Sequence, residues 1–239
     1  MAIKNQEIPM ETAGFASDLA GLPSFLIDPE SAAKRVHSKW FWVAALLVCG
    51  AIAIGVGIYT APFRIHVMEV APMPDGMTAE QHERIVAGTK IGVTYGSYFS
   101  PIVVASFWAI DAGILLALTA VTGVNASFRS LFNLVAGCSL IQSLATIAGA
   151  AILHFKGEVS TTAELTPAMG PDIFLPEGTS KYLMAAASSF SVFQIWWLVM
   201  MALVFAAAFR VSKTKSFLMV LPLWIFGMLL MVGIAAIQK

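Results

Sequence analysis

Apolar positions in this chain gather into five long runs, with polar stretches between them. The runs are Trp40 to Thr60, Tyr98 to Val124, Leu131 to His154, Phe190 to Phe209 and Ser216 to Ile237. A helix rising about 1.5 Å per residue needs about 20 apolar residues to cross about 30 Å of hydrocarbon. The pattern therefore predicts five transmembrane helices. The first, fourth and fifth runs are uncharged, and the third stays so until its last residue, His154. The second carries one charge, Asp111, at its middle.

The connections are unequal. Two are short, roughly 125–130 and 210–215, and force their flanking helices to be antiparallel neighbours. The other two, roughly 61–97 and 155–189, are long and carry helix-start signals. Thr78 followed by Gln81 reads as a capping box opening a helix from Ala79 to about Lys90, and Thr161 followed by Glu164 reads the same way. Between Thr166 and Gly178 stand three prolines and two glycines, a composition that excludes a regular element. Ser180 to Ser189 reads as helix extending the fourth span.

The first 39 residues form a mostly polar tail, punctuated by Glu7, Glu11 and Asp18, which lacks the layout of a signal peptide. Asp28, Pro29 and Glu30 make a helix start, with a capping residue and then proline at the first helical position. This predicts a short juxtamembrane helix from Pro29 to Lys39, with Lys34, Arg35, His37 and Lys39 at the lipid headgroups. One reading is an anchor on the inner leaflet. The other is a docking site for a cytosolic partner, which requires the stretch Leu22 to Ile27 to be exposed. The chain thus divides into a tail, residues 1–39, and a membrane domain, residues 40–239.

Composition sharpens the picture. Of 239 residues, 58% are hydrophobic and only 12% are charged, and the mean hydropathy is +0.81. Soluble domains carry about 25% charged residues, so this chain cannot coat a soluble globule of its size. Its 14 basic residues balance 14 acidic ones, which leaves no electrostatic footprint for nucleic acid. The two cysteines, Cys49 and Cys138, lie in apolar runs, which rules out a disulfide framework and metal-ligand spacing. The fold class is all-α, a polytopic bundle of five membrane helices.

Orientation follows the basic residues. With the N-terminus cytoplasmic, the inner segments hold eight Lys and Arg residues against six outside. Lys34, Arg35 and Lys39 crowd one helix end, and Arg210, Lys213 and Lys215 fill an inner loop. Trp40 and Trp42 then mark the inner interface, and Tyr59, Tyr95 and Tyr98 the outer one.

Asp111 is the most informative single residue. A carboxylate at mid-span costs about 2.5–3.5 kcal/mol on insertion scales, so it must face the bundle or water, find a partner, or be protonated. It reads either as an ion or proton site or as a neutral acid bonded to a neighbouring helix. The third span offers partners: Ser139, Gln142, Ser143 and Thr146 recur at helical spacing, continued by Gly149 and Ala150. That stripe reads as a packing seam or as a substrate path, and Gln194 of the fourth span joins the same interior. Ala51 with Gly55 and Ala53 with Gly57 are small-residue pairs suited to close packing, and Pro222 with Gly227 and Gly233 can bend the last span. His154 and Glu158 do not make a metal site, and Cys138 has no histidine at its depth to activate it. No phosphate-binding, dinucleotide, zinc-protease or serine-hydrolase signature occurs. No cofactor is expected, and an enzyme is disfavoured.

Three places carry a family resemblance. The tail holds Pro23-Ser24-Phe25-Leu26, then Asp28-Pro29, then Lys39-Trp40. Phe128-Arg129-Ser130-Leu131-Phe132-Asn133 runs into the third span. Phe193-Gln194-Ile195-Trp196 is followed by an apolar stretch and then Val211-Ser212-Lys213-Thr214-Lys215. In these the chain resembles the Yip-one (Ypt-interacting protein) domain family in its bacterial branch, over roughly residues 20–238. It departs from the acid-containing approach to the tryptophan often seen there, having Ser188-Ser189-Phe190-Ser191-Val192-Phe193 instead. The resemblance implies a five-span membrane domain with a cytosolic N-terminal tail. It also implies a non-enzymatic protein that assembles with other membrane proteins or with itself, in a bacterial cytoplasmic membrane. Eukaryotic relatives act in vesicle traffic through Rab-type GTPases. A small transporter or channel subunit built on Asp111 and the Ser139–Thr146 stripe is the alternative.

Overall fold

The computed structural model describes residues 14–70, 76–161, 163–176 and 178–237, so Glu7 and Glu11 lie outside the described residues. Among the described residues the regular elements are helices, five of them long and apolar enough to cross a membrane. Three short helices come first: α1 (Phe15–Gly21), α2 (Ser24–Ile27) and α3 (Pro29–Arg35). The first span is α4 (Phe41–Val70). Then come α5 (Ala79–Gly96) and α6 (Ser100–Thr122), joined without a break through one 3₁₀ turn. The third span is α7 (Phe128–Lys156). A short helix, α8 (Lys181–Ser188), precedes α9 (Val192–Phe209), and α10 (Lys213–Ile237) ends the bundle.

The spans run longer than the apolar runs. At 30 residues, α4 is about 45 Å long, against about 30 Å of hydrocarbon. It passes through Pro62 and ends only at Val70. A helix survives an interior proline when neighbouring helices re-satisfy the freed backbone. The first long connection is thus a helical hairpin rather than a loop holding one short helix. Both reciprocal bonds of the Thr78–Gln81 capping box form, at 3.0 and 3.2 Å. The helix they open continues beyond Lys90 to Thr122, a run of 44 residues. Lys90 pairs with Glu69 at 2.5 Å and ties the two arms. Of the two small-residue pairs on α4, Gly57 lies against Ser97, whereas Gly55 faces open space.

The second long connection departs from expectation more clearly. Glu164 does reach back, accepting from the backbone N–H groups of Ser160 (2.7 Å) and Thr161 (3.1 Å) and from Lys156 Nζ (2.8 Å). The Lys156 ammonium and those two N–H donors hold its carboxyl down at about 2. Among the described residues a 3₁₀ turn, Ala163–Leu165, follows in place of the expected helix. A second 3₁₀ turn, Pro171–Phe174, forms inside the stretch expected to be irregular, with Asp172 accepting from Gly170 N–H at 2.8 Å. Proline at its first position supplies a helical φ and needs no donor there. Where helix was expected to extend the fourth span, α8 stands as a separate helix, broken from α9 at Ser189–Ser191 and packed against α10. Ser191 Oγ accepts from Gln194 N–H at 3.3 Å and restarts the helix.

α7 is the hub. It packs against α4, α6 and α9, while α10 lies on α9 and α6. In the most apolar stretches of α7 and α9, 44% of positions are buried, against 17% in α10, which makes α10 peripheral in the bundle. The short turns are set by caps. Gly123 ends α6 at φ 69°, a left-handed conformation that glycine adopts without cost. Arg210 ends α9 at φ 53°, a strained value for a residue with a side chain. Lys215 Nζ donates to the Thr122 carbonyl at 3.0 Å at the close of α6. The buried Ser216 Oγ donates to Ala202 O at 2.5 Å and fixes α10 to α9.

Candidate functional site

The described part of the tail, residues 14–39, is folded onto the bundle. Its helices fill the side of α7 between α4 and α9: α1 contacts α4, α2 contacts α7, and α3 lies along α9. Asp28 caps α3, its carboxylate accepting from Ser31 N–H at 3.1 Å. The Ser31 hydroxyl and backbone N–H hold the Asp28 carboxyl below its usual value. The helix stops at Arg35 rather than Lys39. Leu22 and Phe25 are buried in the main core, with Pro23 and Ile27 exposed, so Leu22 to Ile27 is not the open docking stretch that a cytosolic partner would need.

Phe25 is fully buried, stacked on Phe41 with ring centroids 4.9 Å apart. Its ring fills the hollow that Gly137 leaves on α7, where a Cβ would overlap its ring atoms and stand 2.7 Å from Cγ. One turn below, Asn133 is also fully buried. Its amide nitrogen donates to Val36 O (2.9 Å) and Ser38 O (2.7 Å), and its Oδ1 accepts from Trp42 N–H (3.1 Å). One side chain thus closes two carbonyls at the end of the tail and an orphan donor at the start of α4.

His37 makes a second clamp. Its Nε2 lies 3.3 Å from Ala208 O, and its Nδ1 lies 3.1 Å from Ser130 Oγ. A carbonyl only accepts, so Nε2 is the donor and ties the tail to the last turn of α9. Trp196 Nε1 donates to Leu26 O at 2.9 Å. Within the tail, the buried Asp18 accepts from Ser38 Oγ at 2.6 Å and lies 3.6 Å from Arg35 Nη1, which itself donates to Ser17 Oγ at 2.8 Å.

The mid-membrane residues are distributed differently. Gln142 Nε2 donates to Gln194 Oε1 at 3.2 Å, joining α7 to α9. The hydroxyls turn back on their own helix: Ser139 to Val135 O (2.8 Å), Ser143 to Ser139 O (3.2 Å) and Thr146 to Gln142 O (2.9 Å). Asp111 is half-buried on α6, at the edge of the face carrying the buried Trp108, Ala112 and Leu115. Among the described residues no hydrogen bond or ion pair joins it to Ser139, Gln142, Ser143, Thr146 or Gln194. At the far end Tyr59 Oη lies 2.7 Å from His154 Nδ1. Among the described residues, no three His, Cys, Asp or Glu side chains come together in a metal-binding group.

Charge and periodicity place His37 only at the headgroups and give no sign of its clamp, of Asn133 or of the Phe25–Gly137 contact. Each nevertheless falls in or beside the segments that carry the family resemblance. Those segments, far apart in sequence, meet at this one end: Leu26 on Trp196, Asn133 on Val36 and Ser38, and Ser130 on His37. A comparison with family models matches residues 24–234 to the Yip1 domain. Comparison with curated proteins and with solved structures gives no match.

Proposed function

The chain belongs to the Yip1 domain family, and from that premise we propose that this multi-pass membrane protein is a non-enzymatic scaffold or adaptor that assembles with other membrane proteins or with a second copy of itself. The observation that supports the reading is the clamped tail. Asn133 and His37 hold residues 36–38 against α7 and α9, so one end of the bundle presents a single preorganised surface. Preorganisation lowers the entropy lost on association. In this reading residues 1–39 are a tail that starts in the cytoplasm and packs back onto a membrane domain of residues 40–239, and the N-terminus is cytoplasmic. Basic residues at that end, Lys34, Lys39, Arg129 and Lys213, support the orientation, and the bacterial cytoplasmic membrane is the proposed location. The test is affinity purification of a tagged chain at native expression in a mild detergent, with quantitative mass spectrometry. A stoichiometric membrane-protein partner, or a stable homo-oligomer that loosens on Asn133→Ala, is expected. A chain recovered alone and monomeric in repeated preparations overturns the proposal.

A second reading has one observation in its favour. Asp111 stands at mid-span with no bonded partner among the described residues, as a site for an ion or proton would. In reconstituted vesicles, unchanged flux and unchanged stability in Asp111→Asn remove it. Loss of stability alone makes Asp111 structural.

A further inference from the structure

The two flanks of the bundle differ in what they expose at the tail end. On the α6–α10 flank, apolar side chains reach the end of the helices. Val121, next to last in α6, is 87% exposed, and Leu218, in the second turn of α10, is 62% exposed. No carboxylate stands beside them at that level, so hydrocarbon can cover this flank at little cost.

On the α3–α9 flank, polar groups stand outward far inside that level. Phe25 sits on Gly137, nine residues into α7, or about 13 Å from its first residue. Leu26 O is bonded to Trp196, only four residues from the other end of α9. From there α3 descends along α9 until His37 meets Ala208. The turn between α2 and α3 is therefore deep in the bundle. The side chains that face outward from that turn and from α3 are Ile27, Asp28, Glu30 and Lys34. The backbone at Asp28 is neither helical nor extended, at φ −127° and ψ 86°. Irregular backbone and exposed carboxylates at that depth require water or protein beside them. Moreover, α9 has only 18 residues, about 27 Å, the shortest of the five spans and the one this flank shares.

We propose that the bilayer is thinned beside α3 and α9. Lipid headgroups and their water enter a notch along Ile27, Asp28, Glu30 and Lys34, while the α6–α10 flank keeps full hydrocarbon thickness. A short span and a re-entrant tail thin the leaflet on one side of the protein only, and lipids flow to meet the polar face. The proposal rests on the membrane-spanning fold and not on the scaffold reading, so each can fail alone.

The test uses cysteine variants in vesicles that contain only this protein, at less than one copy per vesicle on average, which removes both other proteins and a second copy from the question. The native Cys49 and Cys138 are buried and contribute little background. Glu30→Cys and Leu218→Cys are exposed to a membrane-impermeant maleimide on both faces of the bilayer. Glu30→Cys is expected to react about tenfold faster or more, as a hydrated site does against a lipid-facing one. Equal, slow rates for the two overturn the proposal. Ile27→Cys, 80% exposed, carries a spin label as the second measurement. Collisions with a water-soluble nickel chelate should exceed those with oxygen there, and the reverse order also overturns it.

Discussion

Gly137→Ala tests whether the tail is seated as described. The added methyl would overlap Cδ1 and Cε1 of Phe25, with Cγ at 2.7 Å. Phe25 has little room to yield, being fully buried and stacked on Phe41. Overpacking of this kind costs about 1–3 kcal/mol. The cost cannot much exceed the worth of burying the phenyl ring, about 1.5–3 kcal/mol, because beyond that the ring leaves its hollow. We expect about 2 kcal/mol, enough to raise the population of released tail by a factor of roughly 30. Lys34 and Lys39 are exposed tryptic sites that lie on the segment concerned. When opening and closing are fast, cleavage tracks the open population, so the initial rate of tail cleavage in reconstituted protein should rise by about the same factor. Phe25→Ala loosens the tail by itself. In the double variant the alanine methyl occupies space the ring has vacated, and the two effects should fall short of their sum by 1 kcal/mol or more, as coupled neighbours do. Wild-type cleavage rates in Gly137→Ala, or strict additivity in the double variant, would refute this packing.

Three further outcomes follow from the hydrogen bonds and close contacts. Asn133→Ala leaves two carbonyls and the Trp42 N–H without their partner. It should cost about 2–4 kcal/mol, lowering the thermal midpoint in mild detergent, whereas replacing Gln142 and Gln194 together by leucine should change it little. Glu164 has its carboxyl depressed from 4.5 to about 2. Its contribution to the 157–165 loop is therefore complete above pH about 4.5 and lost as pH falls towards 2. Amide exchange at Ser160 and Thr161 should show that window in the native chain and lose it in Glu164→Gln. In Gly170→Ala, the new Cβ would lie 2.9 Å from the Ser191 backbone, which cannot move aside as a flexible side chain can. The connection from α7 to α8 should detach and its proteolysis accelerate, with the five spans intact by circular dichroism.

Much of this protein follows from its residues without any coordinates. Five spans, their order and their short connections come from the apolar runs, because hydrocarbon admits no charge cheaply and backbone groups within it must bond locally. Local caps are equally legible: Asp28 at α3 and Thr78 with Gln81 at α5 use side chains that lie three residues from the groups they satisfy. The pairing of Gln142 with Gln194 was within reach for the same physical reason, since amides in a span seek each other. Helix ends were harder. Nothing in the chemistry of Phe63 to Val70 separates a loop from a helix that protrudes beyond the lipid, and the packing of α4 on α5 decided it.

What only the tertiary structure decided is the place of the tail. Phe25 and Gly137 are 112 positions apart, and Val36 and Asn133 are 97 apart. A glycine on a helix reads as tolerance, and an asparagine near a helix start reads as polar surface. Each gains its meaning from a partner that arrives from elsewhere in the chain. Sequence periodicity reports which face of a helix is apolar, and it does so through neighbours three and four residues away. It carries no signal for which distant segment covers that face. The bilayer dictates that five helices form and cross, whereas close packing and the need to bond every buried polar group choose what fills the space between α4 and α9.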